Sequence, residues 1–193
     1  MSKIEKGIFL DRDGVLNQLV RNPLTDAYES PHRPEDLVLC DDVDNPLKRL
    51  RGAGYKLFII SNQPSFAKGK AALESIMKTA DYFLNQLMGK GVAIDRAFYC
   101  YHHPEGIIPE YSFECSCRKP EPFFLFQAER DYKINLGESW MIGDRDTDIE
   151  CGKRAGCKTV LIKNPQSAQY RGESAPDYFA NSLSGAADYI LKF

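Results

Sequence analysis

Gly7-Ile8-Phe9-Leu10-Asp11-Arg12-Asp13-Gly14-Val15 is the stretch from which the rest of the chain can be read. Its apolar run, Gly7–Leu10, has the length and composition of a strand buried on both faces. Two carboxylates follow at once, and in open α/β sheets the ligand crevice lies beyond the carboxyl ends of the strands. Residues i and i+2 share a side of an extended chain, and Gly14 lets the backbone turn, so Asp11 and Asp13 can converge on one reacting group. One is placed to attack and the other to carry a proton.

Outward from that strand, apolar runs recur at Lys56–Ile60, Ala97–Tyr99, Trp140–Ile142 and Thr159–Ile162. Between most of them lie helix-compatible segments. The clearest is Ala71 to Met88, where Leu73, Ile76, Met77, Ala80, Leu84 and Leu87 recur at a helical period. Further helices are expected at Asp44–Ala53, Pro122–Tyr132, Asp146–Ala155 and Leu183–Leu191. This alternation predicts an α/β fold, a mostly parallel sheet covered on both faces. At 193 residues one domain is the expectation, spanning 1–193.

Two segments break the pattern. Residues 17–42 carry Pro23, Pro31 and Pro34 with little periodicity, and residues 101–120 form a second irregular stretch. Loops of such length inside a compact domain are usually functional or disordered. Both follow strands expected to end on one rim, so both are candidates to wall a pocket over Asp11.

A formal charge of −2 supplies no basic field for nucleic acid or anionic membranes. No apolar stretch reaches the length of a membrane span, and Met1 to Lys6 lacks the apolar core of an export signal. A cytoplasmic protein acting on a small ligand is expected. In that setting six cysteines point to metal or free thiols rather than disulfides. Cys100-Tyr101-His102 and Cys115-Ser116-Cys117 form two short pairs joined by a 12-residue connection, a donor set suited to structural, tetrahedral zinc. His103 competes with His102 for the fourth position. It precedes Pro104, which restricts its backbone. Cys40, Cys151 and Cys157 read as ordinary thiols.

Three more features fall at or near strand ends. Ser61-Asn62-Gln63 offers neutral donors, Arg118-Lys119-Pro120 two cations, and Gly143-Asp144-Arg145-Asp146-Thr147-Asp148 further acids. Asp148 also reads as an acid in the first turn of a helix. Carboxylates, neutral donors and a lysine together suit Mg²⁺-assisted phosphoryl transfer.

The order of these four motifs, over residues 7 to 148, resembles the haloacid dehalogenase superfamily of aspartyl-phosphate phosphatases. The zinc-loop motifs resemble a narrower branch holding D-glycero-D-manno-heptose 1,7-bisphosphate phosphatases and histidinol-phosphate phosphatases. The resemblance implies a Rossmann-like three-layer α/β/α sandwich without a large cap domain, with a substrate loop at 17–42 and a zinc loop at 100–118. It implies Asp11 as nucleophile and Asp13 as acid and base, with Mg²⁺ held by Asp11, the Asp13 carbonyl and Asp144. Ser61 and Lys119 would bind the transferring phosphoryl group, Asn62 would assist, and Arg118, or else Arg145, would grip a second phosphate. Zn²⁺ would be held by Cys100, His102, Cys115 and Cys117.

The implied reaction is removal of the C7 phosphate of a heptose 1,7-bisphosphate by a monomer. The stretch Pro64-Ser65-Phe66-Ala67-Lys68 departs from the heptose pattern, and Arg145-Asp146-Thr147-Asp148-Ile149 is similar to the histidinol branch, so histidinol phosphate stands as the alternative substrate. A reading of another class, a zinc-stapled binding module with inactive acids, is opposed by the intact set Asp11, Asp13, Lys119 and Asp144.

Overall fold

The computed structural model describes residues 4–23 and 25–193. Residues 1–3, which entered the reading against an export signal, and position 24 of the long loop lie outside the described residues. In chain order the elements are β1 (Lys6–Leu10), a short antiparallel pair β2 (Val20–Arg21) and β3 (Tyr28–Glu29), α1 (Asp44–Gly52), β4 (Tyr55–Asn62) and α2 (Leu73–Gly89). There follow β5 (Arg96–Cys100), α3 (Phe123–Tyr132), β6 (Trp140–Gly143), α4 (Asp146–Arg154), β7 (Lys158–Ile162), β8 (Tyr178–Ala180) and α5 (Leu183–Ile190).

Six strands pair in the order β5-β4-β1-β6-β7-β8, every pairing parallel. Parallel strands need crossovers, and the helices cover both faces to make an α/β/α sandwich. Side chains alternate accordingly. Ile8 and Leu10, with Leu57, Ile59 and Ile142, pack with Leu47, Leu50, Phe83, Leu87 and Ile190 of α1, α2 and α5. Phe9, Phe58, Ile60 and Met141 pack on the other face with Leu125, Ala128 and Cys151 of α3 and α4. The central strand is therefore apolar at consecutive positions, as its sequence required. Among the described residues no helix is long and apolar enough to cross a membrane.

From β1 the chain builds β4 and β5 on one side, then returns to place β6 on the other. Connections diverge at the carboxyl end of β1, which opens a crevice there.

The five strands and five helices expected from periodicity are present, with ends shifted by one or two residues. Three features differ. The sheet gains β8, three residues too short to stand out against its polar surroundings. The 17–42 segment contains the β2–β3 pair, with Val20 opposite Glu29 and Arg21 opposite Tyr28. In α2, Met77 is half-exposed and Leu84 only partly covered, while Ile76, Thr79, Ala80, Phe83 and Leu87 are buried. The buried stripe is rotated toward Phe83, because the helix faces both the sheet and the ring-lined niche of Arg12, whose guanidinium lies 5.9 Å from the Phe83 ring centroid. Replacing Phe83 by Ala is expected to lower unfolding free energy by about 3–5 kcal/mol, whereas Met77→Ala should change it by less than about 0.5 kcal/mol, as measured by urea denaturation.

Candidate active site

The carboxyl ends of β4, β1 and β6 lie side by side, so the residues after them meet although they are far apart in sequence. Asp11 continues β1, its amide donating to the Ile142 carbonyl at 2.9 Å. Asp144 follows β6, and Asp148 lies in the first turn of α4. Lys119 arrives from the segment before α3 through a cis peptide to Pro120. Its ammonium donates to Asp11 Oδ1 at 2.7 Å, to the Ile60 carbonyl at 2.7 Å and pairs with Asp148 Oδ1 at 2.6 Å. These are short, charge-assisted contacts in a dry setting.

Asp148 uses its other oxygen to accept the backbone amides of Asp144 and Arg145, at 3.1 and 3.0 Å. Its sequence position as a first-turn acid is thus correct, and its partner is Lys119 as well. Gly143 makes room for it: a Cβ there would lie 2.1 Å from the Asp148 Cβ. Gly14 has φ +86° and lets the turn after Asp13 approach Asp144, whose Oδ2 would be 2.3 Å from an added Cβ.

The side-chain oxygens of Asp144 are buried without a hydrogen-bond donor. Carboxylate oxygens of Asp11, Asp144 and Asp148 lie within 4.8 Å of one another. Lys119 pairs with Asp11 and Asp148 and leaves Asp144 without a paired cation. Burial, offset in part by Lys119, pushes Asp11 up to about 6. Burial and the charges of Asp11 and Asp148 push Asp144 up to about 7. Orphaned buried oxygens and surplus negative charge fit a small, hard divalent cation such as Mg²⁺.

Asp13 turns elsewhere. Burial favours its neutral form, but the Arg12 charge and hydrogen bonds from Asn17, Arg12 and Gln63 outweigh it and hold the carboxyl below its usual range. Its side-chain oxygens stand outside the carboxylate cluster of Asp11, Asp144 and Asp148, and the expected magnesium set takes only the Asp13 main-chain carbonyl.

Ser61, at the end of β4, is buried and its hydroxyl accepts from Gln63 Nε2 at 2.9 Å. Asn62 donates to the Lys119 carbonyl and accepts the Lys119 amide, both at 3.1 Å. Its amide is engaged with backbone, so Asn62 anchors the lysine segment at the pocket edge.

A cavity of about 570 Å³ opens above Asp11 and Asp13. The 17–42 segment contributes Tyr28 and Glu29, and the 101–120 segment His103 and Arg118. Both irregular segments wall the pocket, as expected. Lys68, Lys70, Arg145 and Arg171 also line it, interspersed with Glu29, Asp146, Glu150 and Glu173, and spacing alone did not reveal Lys68 or Arg171. Arg118 is held below its ordinary value chiefly by burial, with the like charge of Arg145 acting in the same direction. Arg145 lies 4.3 Å from the Tyr170 ring centroid.

Beside the pocket, Cys100, His102, Cys115 and Cys117 gather their ligand atoms within 4.8 Å. The S···S separations are 3.5 and 3.4 Å, and His102 Nδ1 lies 3.8 and 3.5 Å from the Cys100 and Cys117 sulfurs. These are far longer than a disulfide of about 2.05 Å. They match the edges of a tetrahedron with metal–sulfur bonds of about 2.3 Å. His103 instead accepts the Glu105 amide and lines the pocket, so successive histidines serve opposite sides.

The HAD-hydrolase-like family model matches residues 116–186. The chain is 39% identical to D-glycero-alpha-D-manno-heptose-1,7-bisphosphate 7-phosphatase of Photorhabdus laumondii, over 84% of this chain and 86% of that protein. It is 31% identical to the corresponding beta-heptose enzyme of Yersinia pestis, over 95% and 94%. Among solved structures, D,D-heptose 1,7-bisphosphate phosphatase of B. bronchiseptica, complexed with magnesium and phosphate, superposes with a TM-score of 0.79 at 24% identity, covering 97% of this chain and 98% of that one.

The raised values of Asp11 and Asp144 generate a pH prediction. An acid whose folded value lies above its unfolded one stabilises the fold at low pH and loses that contribution as pH rises, here between about 4 and 7. A cation competes with those protons. Addition of Mg²⁺ is therefore expected to raise the melting temperature more at pH 7.5 than at pH 5, and an equal rise at both would show that the ion does not bind these acids.

Proposed function

Because the chain belongs to the family of heptose-1,7-bisphosphate 7-phosphatases within the HAD-like hydrolases, we propose that it removes the C7 phosphate of D-glycero-D-manno-heptose 1,7-bisphosphate. The observation that carries the site assignment is the buried cluster of Asp11, Asp144 and Asp148, two of whose members, Asp11 and Asp148, pair with the Lys119 ammonium. We read residues 1–193 as one domain with a substrate loop at 17–42 and a zinc loop at 100–118, acting as a monomer in the cytoplasm. Six cysteines without a disulfide among the described residues support the cytoplasmic part of that reading.

In the proposed reaction an Asp11 carboxylate oxygen bonds to phosphorus as the bond from phosphorus to the C7 oxygen breaks. Asp13 gives its proton to that leaving oxygen. The incoming phosphate is itself an anion, which favours the protonated form of Asp13 at this stage. Asp13, now ionised, takes a proton from water as the water oxygen bonds to phosphorus and the Asp11–phosphorus bond breaks, releasing phosphate. Lys119 holds Asp11 in line and neutralises charge on the phosphoryl oxygens, with the Ser61 hydroxyl as a neutral donor. Asp11, the Asp13 carbonyl and Asp144 would hold Mg²⁺, with Asp148 setting the position of Lys119. When bound, the ion supplies charge neutralisation at the transferring group.

Arg118, with Arg145 nearby, would grip the second phosphate through a bidentate fork. Arg118→Ala is expected to reduce kcat/KM for the bisphosphate about ten- to hundredfold more than for the 7-monophosphate, the value of a lost charge-assisted hydrogen bond. Assays of native enzyme on both sugars and on histidinol phosphate, with Asp11→Asn as the inactive control, test role and substrate together. Preference for histidinol phosphate would reject the sugar assignment, and turnover by Asp11→Asn would reject the nucleophile.

Zn²⁺ is the ion assigned to Cys100, His102, Cys115 and Cys117, in a structural role because all four positions are protein ligands. Protein prepared without chelator is expected to contain about one zinc per chain. Cys117→Ser should lower both metal content and melting temperature, and unchanged values would refute the site.

A further inference from the structure

Gln63 has no part in the chemistry above, yet it is 1% exposed and its amide nitrogen makes two hydrogen bonds at the centre of the site. Its Nε2 donates to Asp13 Oδ2 at 2.5 Å and to Ser61 Oγ at 2.9 Å. Behind Asp13 stands Arg12, which is wholly buried. Arg12 Nε reaches Asp13 Oδ1 at 3.1 Å, and Nη2 reaches both oxygens, at 2.9 and 3.1 Å. The guanidinium lies 5.9 Å from the ring centroids of both Phe83 and Tyr99, which limits its movement. Asn17 adds a further bond to Oδ1 at 3.0 Å.

A carboxylate that only had to be accommodated in the core would be satisfied by the arginine fork. The additional link to Ser61 needs another explanation. A group that protonates the leaving oxygen must be aligned with the phosphoryl group, and misplacement by an ångström forfeits much of the rate. We propose that Gln63 is a positioning residue that ties the proton-carrying carboxylate of Asp13 to the phosphoryl-binding hydroxyl of Ser61, with Arg12 as a rigid support. The inference rests on the role given to Asp13 above. In this proposal Gln63 exchanges no proton and forms no bond to phosphorus, and acts through Asp13 and Ser61.

Leaving groups separate this role from a merely structural one. A p-nitrophenolate departs without being protonated, whereas an alkoxide needs the proton. The value to compare is kcat/KM, which covers the steps through departure of the leaving group and excludes later hydrolysis of the phospho-enzyme. Gln63→Met keeps the volume and removes the donor. With the full chain and Mg²⁺, it is expected to lose about ten- to hundredfold on the alkyl phosphate that native enzyme turns over fastest, and less than about threefold on p-nitrophenyl phosphate.

Asp13→Asn is measured beside it. If Asp13→Asn shows the selective loss and Gln63→Met loses activity equally on both esters, the positioning role is overturned and the assignment of Asp13 stands. Equal losses in Asp13→Asn overturn that assignment and the inference with it. Should Gln63→Met fail to fold, as judged by thermal melting, Gln63→Glu has nearly the same size and cannot donate to Asp13 when ionised. It is expected to show the same selective loss, and its absence would equally refute the proposal.

Discussion

The Lys119 ammonium is the constraint around which the other parts of the site are arranged. At 3% exposure it has left water, and a buried ammonium is tolerated only when paired and hydrogen-bonded. Asp11, Asp148 and the Ile60 carbonyl meet that demand from three elements, β1, α4 and β4. Each partner is fixed in turn. Asp148 is held by the amides that begin α4, and the Lys119 backbone is clasped by Asn62 at the end of β4. Asp11 gains from this a set orientation toward the cavity.

The same arrangement leaves an imbalance that has chemical use. Lys119 is engaged by Asp11 and Asp148, and Asp144 keeps two buried oxygens without donors. That is an unfavourable state for an isolated protein and a suitable one for a hard cation. Asp13 is treated in the opposite way, with its negative charge enclosed by Arg12, Asn17 and Gln63. Two carboxylates separated by one residue therefore have contrasting environments, which is how neighbouring acids come to serve different roles.

Around this rigid centre the pocket is shaped by segments that lack large cores of their own. The 101–120 stretch brings His102, Cys115 and Cys117 to Cys100 at the end of the edge strand β5, stacks the His102 ring on Tyr111 and sets it against the tilted ring of Phe113. The 17–42 stretch is latched to residues 65–75 by the Ser65–His32 and Ser75–His32 hydrogen bonds, both 2.8 Å, and by the Lys70–Glu29 ion pair. Both present polar groups to the cavity while the sheet supplies position. This division fits a recognition surface that varies on a constant frame.

The sequence by itself determined the α/β alternation, the strands that carry Asp11, Ser61 and Asp144, and the two cysteine pairs. These are local signals: a continuous apolar run at a buried strand, helical periodicity, and donors spaced within one loop. His102 over His103 needed more than spacing, because neighbours in an extended segment face opposite ways and only the fold says which side holds the thiols. The tertiary structure alone decided that Asp148 joins Asp11 at Lys119, that Gln63 bridges Asp13 and Ser61, and that Lys68 and Arg171 share a rim with Arg118. It also turned α2 toward Phe83 and added β8. These outcomes depend on which strand ends become neighbours, and a parallel sheet assembled through long crossovers makes neighbours of residues more than a hundred positions apart, where no local pattern records the pairing.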